Sequence, residues 1–337
     1  MEAIFNNGDY SLLQGKAVLI SGSTGMLASY MVFFMVYLNE FHNYNIKILA
    51  MYRDITKFNE RFGAYADKII PISHPLDSPI DVDCDYIIHA ASLASPQYYT
   101  VQPIDVILPN LLGTYNLLEL AFRKKARPLY FSSISVYGNF SCGKTIISEN
   151  DFGSIDPIDP HSCYDESKRA GESLCAAYYR QKNVPSVIAR IAHTYGPTMD
   201  VVNDPRVFAS FVKNATNKEN IEIKSDGSAK RSFCYITDAT AAYFKLLLNG
   251  VPGEAYNVCN TEQTLSIREL GEIISNIAKV DFIFKKRSDD EVYLQDSNAD
   301  AVIYSSEKLE ALGFSFKVDV KQGFTKVLSY LEGERPL

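Results

Sequence analysis

Tyr164 and Lys168, within the run Cys163-Tyr164-Asp165-Glu166-Ser167-Lys168, stand four residues apart, a spacing that stacks a phenol beside an ammonium group on one helix face. Such a pair can move a proton. A free phenol ionises near pH ~10, so a neighbouring cation that favours the phenolate is needed before tyrosine serves as a base near neutrality. Lys168 is placed to supply it. Upstream, Phe131-Ser132-Ser133-Ile134-Ser135-Val136-Tyr137-Gly138 puts hydroxyls just past a short apolar run. There Ser133 can hold a substrate oxygen while the tyrosine takes or returns its proton.

Elements that could position this chemistry are legible from the N-terminus onward. Lys16-Ala17-Val18-Leu19-Ile20-Ser21 reads as a strand and is followed at once by Gly22-Ser23-Thr24-Gly25-Met26-Leu27-Ala28, a tight turn opening a helix. Small residues at Gly22, Gly25 and Ala28 let the backbone approach a pyrophosphate, and the helix N-terminus offers unpaired N–H groups. A dinucleotide is the expected ligand, held by Gly22, Thr24, Gly25, Met26 and Leu27, although the spacing differs from the commoner Gly-x-Gly-x-x-Gly fingerprint.

Further strands are expected at residues 46–51, 68–72, 85–89, 127–132 and 186–190, with one long helix over 101–125 and another from Tyr164 to about residue 181. This alternation predicts an α/β fold with a doubly wound parallel sheet of the Rossmann type. Residues 1–190 are read as the dinucleotide-binding domain. Residues 191–337, interrupted by Pro197, Pro205 and Pro252, are read mainly as a smaller α/β substrate-binding lobe, with some strand exchange between the two.

Composition narrows the function classes. A net charge of −7 and scattered Lys and Arg argue against a nucleic-acid surface; Lys285-Lys286-Arg287 is followed directly by Asp289-Asp290-Glu291. Cys84, Cys142, Cys163, Cys175, Cys234 and Cys259 show no metal or disulfide spacing, which suits a reducing cytoplasm and predicts no metal site. No signal peptide is read at the N-terminus, and the apolar residues 26–38 fall short of the ~20 that span a bilayer, so no membrane partner is expected.

In the order glycine turn, serines, Tyr164, Lys168, the chain resembles the extended short-chain dehydrogenase/reductases that act as nucleotide-sugar epimerases, dehydratases and decarboxylases. It looks most similar to UDP-glucuronate decarboxylases. The strings that carry this are Ala94-Ser95-Pro96 with Tyr98-Tyr99 and Pro103, Asp156-Pro157-Ile158, Cys163 through Arg169, and Thr194-Tyr195-Gly196-Pro197-Thr198-Met199. The resemblance implies a catalytic triad of Ser133, Tyr164 and Lys168, with Lys168 also on the nicotinamide ribose. It places Ala90, Ala91 and Ser92 against the cofactor, Asp77 on adenine, and Asn110 in support of the lysine through water. Ser92, Ser133, Ser135, His193, Arg206 and Arg231 are expected to meet the substrate, Arg231 at its diphosphate. A homodimer built on the 101–125 and 164–181 helices is also implied.

Three departures bear on the reaction. Ile134 and Ser135 stand where decarboxylases carry a glutamate and dehydratases an Asp-Glu pair. Dehydration needs both carboxylates, decarboxylation of a β-keto acid is weakened less, and epimerases manage with a hydroxyl. His193 replaces the usual asparagine beside the diphosphate; it is read either as a contact whose charge varies near neutral pH or as a packed histidine. His42, His74, His89 and His161 are read as structural or surface residues. Met51-Tyr52-Arg53-Asp54 lacks the acid that ordinarily ends strand two, so NAD is expected with NADP possible through Arg53. A UDP-sugar 4-epimerase recycling its cofactor through a 4-keto sugar is the first expectation, with UDP-glucuronate decarboxylase and 4-keto-sugar reductase as alternatives. A dinucleotide sensor without turnover is disfavoured, because both Tyr164 and Lys168 are present.

Overall fold

A computed structural model describes residues 1–140, 145–285 and 302–333; Cys142 and the charged run at 286–291 lie outside them. The strands are β1 (Ala17–Ser21), β2 (Lys47–Tyr52), β3 (Ile70–Ser73), β4 (Tyr86–His89) and β5 (Arg127–Ser133), then β6 (Ile146–Ile147), β7 (Val187–Ile191) and β8 (His193–Tyr195). They continue with β9 (Ile221–Ile223), β10 (Lys230–Tyr235), β11 (Ala255–Val258), β12 (Thr264–Ser266), β13 (Phe282–Phe284) and β14 (Ile303–Tyr304).

Seven of them form one sheet in the order β11-β7-β5-β4-β1-β2-β3, every pair parallel. Successive residues of a strand face opposite sides, so Val18 and Ile20 join one core while Leu19 joins the other. The first core packs the helices Met26–His42 and Ile236–Asn249 on one face, and the second packs Thr114–Lys124 and Ser162–Lys182 on the other. A parallel sheet covered on both faces is the doubly wound arrangement expected. Its edge strand β11 comes from residues well beyond 190, so the chain returns to the sheet after leaving it.

Two local expectations change. The helix expected over 101–125 is broken into Gln97–Val101, Pro103–Leu108, a π-turn at Pro109–Gly113 and Thr114–Lys124. Pro103 and Pro109 have no N–H for the helical ladder, and Gln102 leaves the helical region at φ −138° and ψ 52°. The third strand begins at Ile70, because a 3₁₀ turn occupies Gly63–Lys68.

A third core gathers Tyr195, Phe208, Phe211, Phe233, Leu270 and Phe324 beneath the small sheet β12-β10-β8. Its helix Ile267–Ala278 begins with a capping box between Ser266 and Glu269. β8 follows β7 directly, so this lobe hangs from the carboxyl edge of the large sheet. Among the described residues no helix is long and apolar enough to cross a membrane.

Candidate active site

The carboxyl ends of β1, β4, β5 and β7 open on one crevice. Gly22 turns the chain out of β1 at φ +66°, and a Cβ there would lie 2.6 Å from Ala91 Cα, so the close approach of the β1 turn to the β4 end requires glycine. Gly25 then caps Met26–His42 without any side-chain hydrogen bond, which leaves the first amides of that helix for an anion. Ser23 donates to the Met51 carbonyl at 2.8 Å and anchors the turn to β2. These features fit a dinucleotide pyrophosphate. Thr24, Met26 and Leu27 are partly buried around the turn, as are Ala90, Ala91 and Ser92 beyond β4; the Ser92 hydroxyl has no partner among the described residues. Arg53 and Asp77 are exposed beyond the carboxyl ends of β2 and β3. Asp54 accepts from the Thr56 and Lys57 amides, so its carboxylate caps the next helix and Arg53 is the charge left facing outward.

Tyr164, Lys168, Ser133 and Asn110 come together. The Tyr164 phenol is buried and stacked on the Tyr99 ring at 5.0 Å and 10°, with the Ser133 hydroxyl beside it. Ser133 lies where β5 passes into a 3₁₀ turn, its Oγ accepting from the Ser135 amide at 3.1 Å. Lys168 Nζ lies 5.7 Å from the Tyr164 ring centre and donates to the Phe131 carbonyl at 2.7 Å. The expectation that this ammonium acidifies the phenol is not what the geometry delivers: burial pushes Tyr164 up to about 12, with the Ser133 hydroxyl opposing it. Burial also pushes Lys168 down to about 7. The amide nitrogen of Asn110, in the π-turn, donates to Val106 O and to Ser167 Oγ at 2.9 Å, leaving its buried Oδ1 as an unengaged acceptor.

On the substrate side, the His193 ring stands between Phe208 and Phe233, its Nδ1 shut off from solvent and without a partner among the described residues. Burial, with Arg231 and Arg206 nearby, pushes it down to about 3. Its charge therefore does not vary near neutral pH, and of the two readings only a neutral imidazole survives. Arg206 also faces the Tyr164 phenol, but its guanidinium is engaged by Asp204 at 2.8 Å and rests on the Phe208 ring. Arg231 donates to the Lys230 carbonyl. The Ser135 hydroxyl lies against the Asp165 carboxyl, whose ionisation burial pushes upward. The Ser133 hydroxyl and Arg206 thus stand by the phenol, and Arg206 together with Arg231 flanks the neutral His193 ring.

Residues 18–259 match the family described as NAD dependent epimerase/dehydratase. The chain is 31% identical to UDP-glucuronic acid decarboxylase 6 of Arabidopsis thaliana, over 91% of this chain and 86% of the relative. In fold it resembles UDP-glucose 4-epimerase of Thermotoga maritima solved with UDP-glucose, with a TM-score of 0.76, 18% identity, and coverage of 94% of this chain and 99% of that one. It also resembles RMD from Pseudomonas aeruginosa complexed with NADPH, with a TM-score of 0.72, 24% identity, and coverage of 94% and 99%.

The chain belongs to the NAD dependent epimerase/dehydratase family. It is a nucleotide-sugar enzyme of the extended short-chain dehydrogenase/reductase type. Two residues that bear on the site in this family member escaped sequence reasoning. Tyr99 stood in a quoted string without a role; nothing in its spacing announces a ring stacked on a residue 65 positions away. Glu172, one helical turn beyond Lys168, has no role in the sequence reading, although an acid at that spacing from a lysine is the signal that could have found it.

Proposed function

We propose that this enzyme oxidises C4 of a UDP-linked sugar, keeps the 4-keto product in place, and completes a redox-neutral reaction, decarboxylation of UDP-glucuronate being the first choice. The observation that carries the reading is the Tyr164 phenol beside the Ser133 hydroxyl, with Arg206 facing both that phenol and the His193 ring. Likeness to a UDP-glucuronic acid decarboxylase over most of both chains supports decarboxylation ahead of the 4-epimerisation that the motifs alone put first. Ser135, with no carboxylate of its own, is the specific observation that keeps epimerisation as the second reading.

Bound nicotinamide would supply the hydride acceptor, and NAD is the proposed form, with NADP the alternative that Arg53 leaves open. The chain's own residues do the rest. Ser133 donates to the C4 oxygen as it becomes a carbonyl, and Tyr164, once ionised to the phenolate, accepts the C4 hydroxyl proton. Lys168 holds the ribose, and the Ser133 hydroxyl is the neighbour that favours the ionised form of the phenol. Arg231 and Arg206 take the diphosphate, Arg206 by exchanging Asp204 for substrate, and His193 donates or accepts as a neutral ring.

A homodimer is part of the proposal. Ile104, Leu108, Leu112, Tyr115, Phe122 and Tyr179 are exposed on the helices over 103–124 and 162–182, where a second copy would cover them. The open groove of about 580 Å³ lined by Tyr99, Ile107, Leu111 and Cys163 belongs to this outer flank and not to the crevice.

The test is to incubate the enzyme with UDP-glucuronate, UDP-glucose and UDP-N-acetylglucosamine and follow products by NMR. A UDP-pentose from UDP-glucuronate without net cofactor consumption is expected. Interconversion of C4 epimers would install the second reading, and inertness of all three sugars with NAD or NADP supplied would end both.

A further inference from the structure

Behind the crevice, a carboxylate joins three elements. Glu172 receives a hydrogen bond from Ser132 Oγ at 2.6 Å and a two-pronged ion pair from Arg190, with Nη2 to Oε2 at 2.8 Å and Nε to Oε1 at 3.0 Å. The side chains of this pair are 12% and 8% exposed, so its charges are held away from water. Arg190 on β7 is itself fixed by the Glu149 carbonyl and the Tyr137 ring. Ser132 directly precedes Ser133, and Glu172 lies one turn beyond Lys168 on the helix that carries Tyr164.

We propose that Glu172 is a positioning residue: it clamps the strand end bearing Ser133 to the helix bearing Tyr164 and supplies the negative field that keeps the Lys168 side chain an ammonium. The inference rests on the proposed roles of Ser133, Tyr164 and Lys168. Among the described residues nothing else around that ammonium can do the second task. Nζ meets the Phe131 carbonyl, the Tyr130 ring at 5.1 Å and the Tyr164 ring, all neutral groups. His89 from β4 is held neutral by burial and by Lys168 itself, and burial keeps the Cys175 thiol protonated. Among the described residues Lys168 forms no ion pair within contact distance, while Glu172 leads the groups that oppose the effect of its burial. Arg190 offsets part of that field, yet the carboxylate belongs to the lysine's own helix, one turn beyond it.

A bystander ion pair and a positioning residue differ in what their loss does to Lys168. In protein carrying ¹⁵N-lysine, the Lys168 side-chain signal, assigned by its disappearance in Lys168→Met, is followed through pH in wild type and Glu172→Gln. The midpoint is expected to fall by about one unit in the variant; an unmoved midpoint beside a lowered Tm would reduce Glu172 to a structural role and overturn the proposal. Ser132→Ala removes the clamp and keeps the charge, and it decides the matter if Glu172→Gln does not fold. It should leave the midpoint in place and lower kcat roughly fivefold with KM nearly unchanged, whereas a wild-type kcat would sink the clamp. Should the wild-type enzyme turn over none of the UDP-sugars, the proposed reaction fails while the lysine titration still judges Glu172.

Discussion

Tyr164 is a neutral phenol in a dry pocket, and that state makes its role testable. Tyr164→Phe keeps the ring that stacks on Tyr99 and deletes only the oxygen that meets Ser133. Turnover should drop by about three orders of magnitude or more, while dinucleotide binding, read by fluorescence titration, stays within a few-fold of wild type. Lys168 carries the opposite lesson, since its burial is a cost to the fold. The unfolded chain holds the lysine proton up to its ordinary value of 10.5, whereas the folded protein releases it near 7. Between those limits the unfolded state binds more protons, so this residue's contribution to stability rises with pH, and its penalty is complete below pH 7. Lys168→Met should therefore abolish turnover yet raise stability by about 1–3 kcal/mol at pH 6, the gain shrinking towards pH 10 in urea melts. A variant less stable than wild type at pH 6 would contradict the burial argument.

At the scale of elements, the β1 turn is the tightest point of the fold. Gly22→Ala would force both a left-handed φ on alanine and a Cβ into the Ala91 backbone, with no flexible side chain to yield. A loss of about 2 kcal/mol in stability and at least tenfold weaker dinucleotide binding is expected from thermal melts with and without NAD. The turn was readable in sequence because strand, glycines and helix are contiguous. The break in the 101–125 helix was not anticipated. Apolar spacing there is helical throughout, and only Pro103 and Pro109, weighed as helix breakers and not averaged into the pattern, foretell the π-turn that aims Asn110 at Ser167.

For the molecule as a whole, the proposed dimer rests on the exposed apolar face of the 103–124 and 162–182 helices. Light scattering should find a dimer, and Leu112→Glu with Tyr115→Glu should yield a folded monomer, because two charges cannot be buried unpaired in such a contact. A wild-type monomer at micromolar concentration would remove the dimer from the proposal.

From the sequence by itself came the doubly wound sheet, the dinucleotide turn and the tyrosine–lysine pair, because each is written in neighbouring residues through a period of two, a run of small residues or a helical turn. The tertiary structure alone decided that Lys168 donates a hydrogen bond to the Phe131 carbonyl, that His193 is neutral and that Arg206 is held by Asp204. It also set Glu172 between Ser132 and Arg190. Those outcomes depend on burial and on charges brought together from distant parts of the chain, and desolvation is a property of a packed interior that no local pattern of residues records.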